Sequence, residues 1–212
     1  MKPHAMARGF LKGVAILLLL AFWAIVLGRP RGPRPSLPEP SSIAGLRPSM
    51  SCREAARRLE EWGTPFEVLP AVAIDRPAGA PASFATVRLG AGPSPFGPLR
   101  QGSLRFVDDA LAWVELEIDL RGDAANAAQA ASREDRLLGP ATARRLSSAC
   151  WRFEAMGALA WRTVAGGLRR LSIAFPDAAS RAGLPGAEDP AAMRAAIEAE
   201  IEEALGRPLP ED

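Results

Sequence analysis

Ser103-Leu-Arg-Phe-Val-Asp-Asp-Ala-Leu-Ala-Trp-Val-Glu-Leu-Glu-Ile-Asp-Leu120 carries the clearest β signal in the chain. The runs 103–107 and 111–120 flank Asp108-Asp109-Ala110, a spacing that suits a hairpin. Side chains alternate across a strand, so Val114, Leu116, Ile118 and Leu120 are expected to face a core. Trp113, Glu115, Glu117 and Asp119 then share the other face. Arg121-Gly122-Asp123 matches the integrin-binding tripeptide but stands where the strand should turn, and it is read as a turn.

Upstream, Phe66, Val68, Val72 and Ile74, and then Ala85, Val87 and Leu89, alternate as short strands, with Pro70 placing the first at an edge or a break. Before them, Ser51-Cys-Arg-Glu54 is a capping-box pattern. Cys52, Ala55, Ala56, Leu59 and Trp62 follow at helical spacing, and Gly63 and Pro65 end the run. Between the strands, the Gly/Pro-rich stretch Gly90 to Gly102 holds Phe96 and Leu99 as its only large apolar residues. They are candidate contacts for a partner.

Downstream, the Ala-rich segment from Asp123 to Gly139 reads as a helix, and Pro140 opens a second one carrying Leu146, Ala149, Cys150 and Phe153 on one side. Residues from Trp151 to Val164 fit either a continued helix or strands. The alternation of Leu159, Trp161 and Thr163, the turn-forming Gly166-Gly167, and the return of Leu171, Ile173 and Phe175 favour strands. Asp189-Pro190 then caps a C-terminal acidic helix whose Met193, Ile197, Ile201 and Leu205 form one narrow apolar stripe. The stripe fits docking on its own domain or contact with a partner. The expected fold class is α+β, with one antiparallel sheet and flanking helices over 49–186 and the acidic helix in 187–212.

The N-terminal part has another character. Gly13 to Gly28 is an uncharged apolar run near the lower length limit of a spanning helix, preceded by a basic tail, 1–12. A poor small-residue cleavage site at its end favours an uncleaved anchor over a secretory signal. Arginines and lysines are balanced on the two sides, so orientation rests on the long domain that follows, which is expected outside the cytoplasm. Residues 29–48, with prolines at 30, 33, 35, 38, 40 and 48, read as an extended tether. The implied localisation is a single-pass protein of a bacterial inner membrane with a periplasmic domain.

Charge and composition narrow the chemistry. Residues 1–48 carry net charge +6 and residues 187–212 net −6, while the middle is nearly neutral. The basic excess therefore belongs to the membrane-flanking region, and nucleic acid binding has little support. The only lysines are Lys2 and Lys12, the only histidine is His4, and tyrosine is absent, so beyond the anchor there is no histidine base and no lysine nucleophile. Nucleotide-loop, dinucleotide, serine-hydrolase and zinc-protease motifs are missing too. No cofactor and no metal site is expected.

Two constellations remain. Cys52 and Cys150 are the only cysteines, and in an exported domain they are expected to form a disulfide, with two buried free thiols as the alternative. Trp113, Glu115, Glu117 and Asp119 form a candidate ligand face. Carboxylates two apart on one strand stand about 6.6–7 Å from each other, within the range of inverting glycosidases, yet lie on one surface and not across a cleft. Pairing with Arg105 or Arg170 is the plainer expectation for them. The function expected is non-enzymatic: an exported domain that binds another envelope protein in assembly or as a scaffold. The alternative is an anchored carboxylate-dependent enzyme, or a ligand-binding module, acting on envelope glycans or small ligands.

Overall fold

The computed structural model describes residues 42–76, 80–120, 132–145, 147–183, 187, 189–206 and 208–209, all within the compact unit 39–212. The anchor run, the basic tail, residues 29–41 of the tether and the Arg121-Gly122-Asp123 turn lie outside them. Among the described residues no helix is long and apolar enough to cross a membrane.

The central hairpin forms as its alternation dictates. β4 (Leu99–Val107) and β5 (Ala110–Asp119) pair antiparallel, with Leu104 opposite Val114 and Ser103 opposite Glu115. Asp108 and Asp109 make the turn at φ 49° and 58°, values that β-branched residues would not tolerate. On one side β3 (Ala82–Leu89) joins β4, and the short β1 (Phe66–Val68) and β2 (Val72–Ile74) both pair with β3 on either side of the Pro70 break. On the other side β5 meets β9 (Leu168–Ala174), then β8 (Ala158–Ala165), β7 (Ser148–Phe153) and the two-residue β6 (Ala143–Arg144). All pairings are antiparallel, and the architecture is α+β.

β7 replaces the helix expected after Pro140. An apolar run covered on both faces has the same spacing as one side of a helix, so periodicity alone does not separate the two. Here Cys150 and Arg152 point toward the C-terminal helix, where Arg152 meets Glu198 at 3.4 Å. On the opposite face Trp151 donates its indole N–H to the Gly139 carbonyl at 3.0 Å.

The sheet has two faces. One carries Val87, Leu104, Val114, Leu116, Ile118, Leu171 and Ile173, all fully buried. Helix α1 (Cys52–Trp62), the 93–98 loop and the helical residues 132–138 (α2) border this face. α1 begins with the expected capping box: the Ser51 hydroxyl accepts from the Glu54 N–H at 3.2 Å, and the Glu54 carboxylate accepts from the Ser51 N–H at 2.9 Å. Gly63, at φ 71°, closes it. Ile43 and Leu46, placed in the tether by composition, are instead fully buried, tied to each other by reciprocal backbone hydrogen bonds of 2.8 and 2.9 Å. The folded unit therefore starts before Pro48.

The other face is partly covered by the short helix α3 (Pro176–Ala179) and by α4 (Pro190–Leu205). Asp189 caps α4 by accepting from the Ala192 N–H at 2.9 Å, and Gly206 ends it. α4 lies against α3, β7 and β8, and α3 packs on β4 and β5 near Ala112, so the open part of this face is the stretch around Arg88, Gln101, Ser103 and Glu117.

Candidate functional site

The open face is read row by row from strand register. Gln101, Glu117 and Arg170 stand side by side on β4, β5 and β9. Glu117 accepts from the Gln101 amide at 2.7 Å and from the Arg170 guanidinium at 2.8 Å. The Arg170 bond, then the Gln101 bond, holds the Glu117 carboxyl below the usual carboxylate range, and Arg170 is shifted upward in return. One row along, Glu115 faces Ser103 and accepts from Arg105 at 2.9 Å. Trp113 is half-buried and meets the buried Trp161 of β8. Asp119 ends β5 on the same face, its backbone N–H donating to the Pro98 carbonyl at 3.1 Å.

Two grooves lie on this surface. One, of about 440 Å³, is polar and lined by Thr86, Arg88, Gln101, Ser103, Glu117 and Arg170. The other, of about 350 Å³, runs under α3 and α4 and is lined by Phe84, Val107, Trp113, Ala179, Ala182 and Met193, with Glu200 of α4 at its edge. Glu115 lines both, so the two join into one surface, polar at one end and apolar at the other. Val72 and Ile74, 61 % and 40 % exposed on the adjoining edge strand, extend its apolar border.

The expected carboxylate face is therefore brought together, but as part of an ion-paired sheet surface. A glycosidase of this type needs one carboxyl raised into the neutral range to act as an acid, and Glu117 is shifted the other way. Among the described residues no three metal-ligating side chains cluster.

The six expected partner contacts have another place. Phe96 and Leu99 are 0 % and 3 % exposed: the Gly90 to Gly102 stretch folds inward, with reciprocal backbone bonds between Gly92 and Leu99, and Gly97 packs beside Ile118. Met193, Ile197, Ile201 and Leu205 are likewise core, the stripe of α4 being consumed by its own sheet. Only Met193 also borders the apolar groove.

The cysteines are both free. Cys52 opens α1, where its N–H bonds Asp109 at the β4–β5 turn, while Cys150 lies on β7, three strands away from β5. Three spacings of ~4.8 Å put roughly 14 Å between those strands, well beyond the ~7 Å of Cα separation that a disulfide spans. The expected disulfide is absent for that reason. Burial pushes the Cys150 thiol up to about 11, and burial followed by the nearby Asp109 raises Cys52.

The residues missed from the sequence are Phe84, Thr86, Arg88, Gln101, Ser103 and Glu200. Alternation along β4 of the hairpin places Gln101 and Ser103 on this face, and its extension one strand outward places Phe84, Thr86 and Arg88 there. Glu200 follows only from how α4 docks. The chain matches no protein-family model, no curated protein and no solved structure.

Proposed function

We propose that this domain is a non-enzymatic binding module, carried at the membrane by the Gly13 to Gly28 anchor, that captures an extended segment of another envelope protein. The observation that carries this reading is the continuity of the two grooves at Glu115. An extended peptide has the matching amphipathic form: a side chain for the apolar end between Phe84, Trp113 and Met193, and main-chain amides for the polar end beside Arg88, Gln101 and Ser103. Glu200, which has no ion-pair partner among the described residues, favours a segment whose apolar anchor is followed by a basic residue.

Site-specific photocrosslinking in native membranes tests the proposal. A probe at Phe84 or Thr86 is expected to give a discrete adduct, and a probe at the exposed Glu60 on α1 none. Adducts of equal yield from all three positions, or none from the groove, would overturn it.

A further inference from the structure

On the sheet face opposite the grooves, three charged side chains sit in the core. Glu134 projects from α2 between Arg162 of β8 and Arg169 of β9, with side-chain exposures of 1 %, 8 % and 3 %. Arg162 lies opposite Leu171 and Arg169 opposite Val164, so the two guanidinium groups are diagonal neighbours on adjacent strands. Arg162 Nη1 donates to Glu134 Oε2 at 2.8 Å. Arg169 Nη1 approaches Oε1 at 2.9 Å without hydrogen-bond alignment. Arg162 Nε and Arg169 Nε are buried donors with no acceptor among the described residues, whereas Arg169 Nη1 has Glu134 Oε1 beside it.

The charge is also unbalanced. Among the described residues, two guanidinium groups, which do not deprotonate in proteins, face one carboxylate. The adjacent acid, Asp135, is exposed and pairs with Arg144. A water molecule would supply an acceptor oxygen but no charge, and a net cation at this depth is strongly disfavoured. We propose that a small monovalent anion of halide size binds between Arg162 and Arg169, completes a neutral four-membered cluster with Glu134, and pins α2 to β8 and β9. This site is independent of the grooves and of the partner reading.

Thermal unfolding of the full-length protein in sodium chloride against sodium gluconate, at equal ionic strength and pH 7, tests it. Gluconate, a much bulkier anion than a halide, serves as the control. Chloride is expected to raise Tm with the logarithm of its concentration above Kd, by about 3–6 °C at tenfold excess over its Kd, and bromide is expected to substitute. E134Q removes the one counter-charge among the described residues and is expected to enlarge the chloride-specific rise, whereas R169M abolishes it. Equal Tm in the two salts for the wild-type protein, or no enlargement in E134Q, would overturn the proposal. The wild-type comparison decides the matter even where R169M does not fold.

Discussion

Trp113 meets Trp161 edge to face, their ring centroids 5.2 Å apart and their planes at 85°. The pair bridges across β9, joining the open part of the sheet to the part that α4 covers. Trp113 lines the apolar groove, and Trp161 is part of the core. Truncating Trp161 to alanine is expected to lower stability by about 3–5 kcal/mol, whereas W161F keeps the aromatic edge and costs much less. Urea unfolding of both variants checks this, and equal losses would show that the edge contact contributes nothing beyond volume.

Glu117 gives a pH signature. Its folded pKa is depressed by Arg170 and Gln101, so its contribution is fully present above the unfolded carboxylate value of about 4.3 and is lost as pH falls through the folded value. Because Arg170 is 61 % exposed, the contribution is small. E117Q is expected to be less stable than wild type by under ~1 kcal/mol at pH 7, with the two converging below about pH 4. A stability gap that does not narrow at all as pH falls below about 4.3 would assign the effect to packing.

The stripe of α4 is core, and its removal should behave so. Ile201 is fully buried and Ile197 nearly so; I201A is expected to cost about 2–5 kcal/mol. Ending the chain before Asp189 uncovers the face around Trp161 and Cys150 and is expected to abolish cooperative unfolding, as near-UV circular dichroism would report. A truncated chain that still unfolds cooperatively would make α4 a separable segment after all.

Ala44 turns at φ 53°, in the left-handed region, between the buried Ile43 and Leu46. Glycine takes that conformation without the Cβ clash, although it also loosens the unfolded chain. A44G is therefore expected to gain about 0.5–1 kcal/mol in urea unfolding. The reverse change at Gly45 is unfavourable, since its φ of 84° lies in the left-handed region that side chains rarely adopt.

Local signals read well wherever one residue type settles one backbone state. The Ser51 and Asp189 caps, the Gly63 and Gly206 stops, the Pro70 break and the Gly166-Gly167 turn, at φ 58° and 77°, all lie where their chemistry places them. What failed depends on what lies opposite. Ala149, Cys150 and Phe153 fit a helix or a two-sided strand equally until β8 and α4 are in place. Ile43 and Leu46 are isolated in a proline-rich stretch, and composition alone hid their burial. The Glu134 cluster left a trace, since Arg169, Leu171 and Ile173 share one strand parity and imply an inward arginine, but its partner on α2 is set by tertiary packing.

The thiols offer the sharpest comparison between sequence expectation and fold. Cys52 is half-buried at a helix start, and Cys150 is fully buried on β7. The reactive species is the thiolate, and both thiols are shifted upward, Cys150 to about 11, so at pH 7.5 neither is readily ionised. Cys150 is in addition sealed beneath α4. Maleimide labelling of the native protein is expected to modify Cys52 slowly and Cys150 only with unfolding, at a rate set by opening of the domain. Under denaturant without reductant, both should label, giving two modified thiols by mass spectrometry. Recovery of a Cys52–Cys150 linked peptide would contradict the separation of α1 from β7.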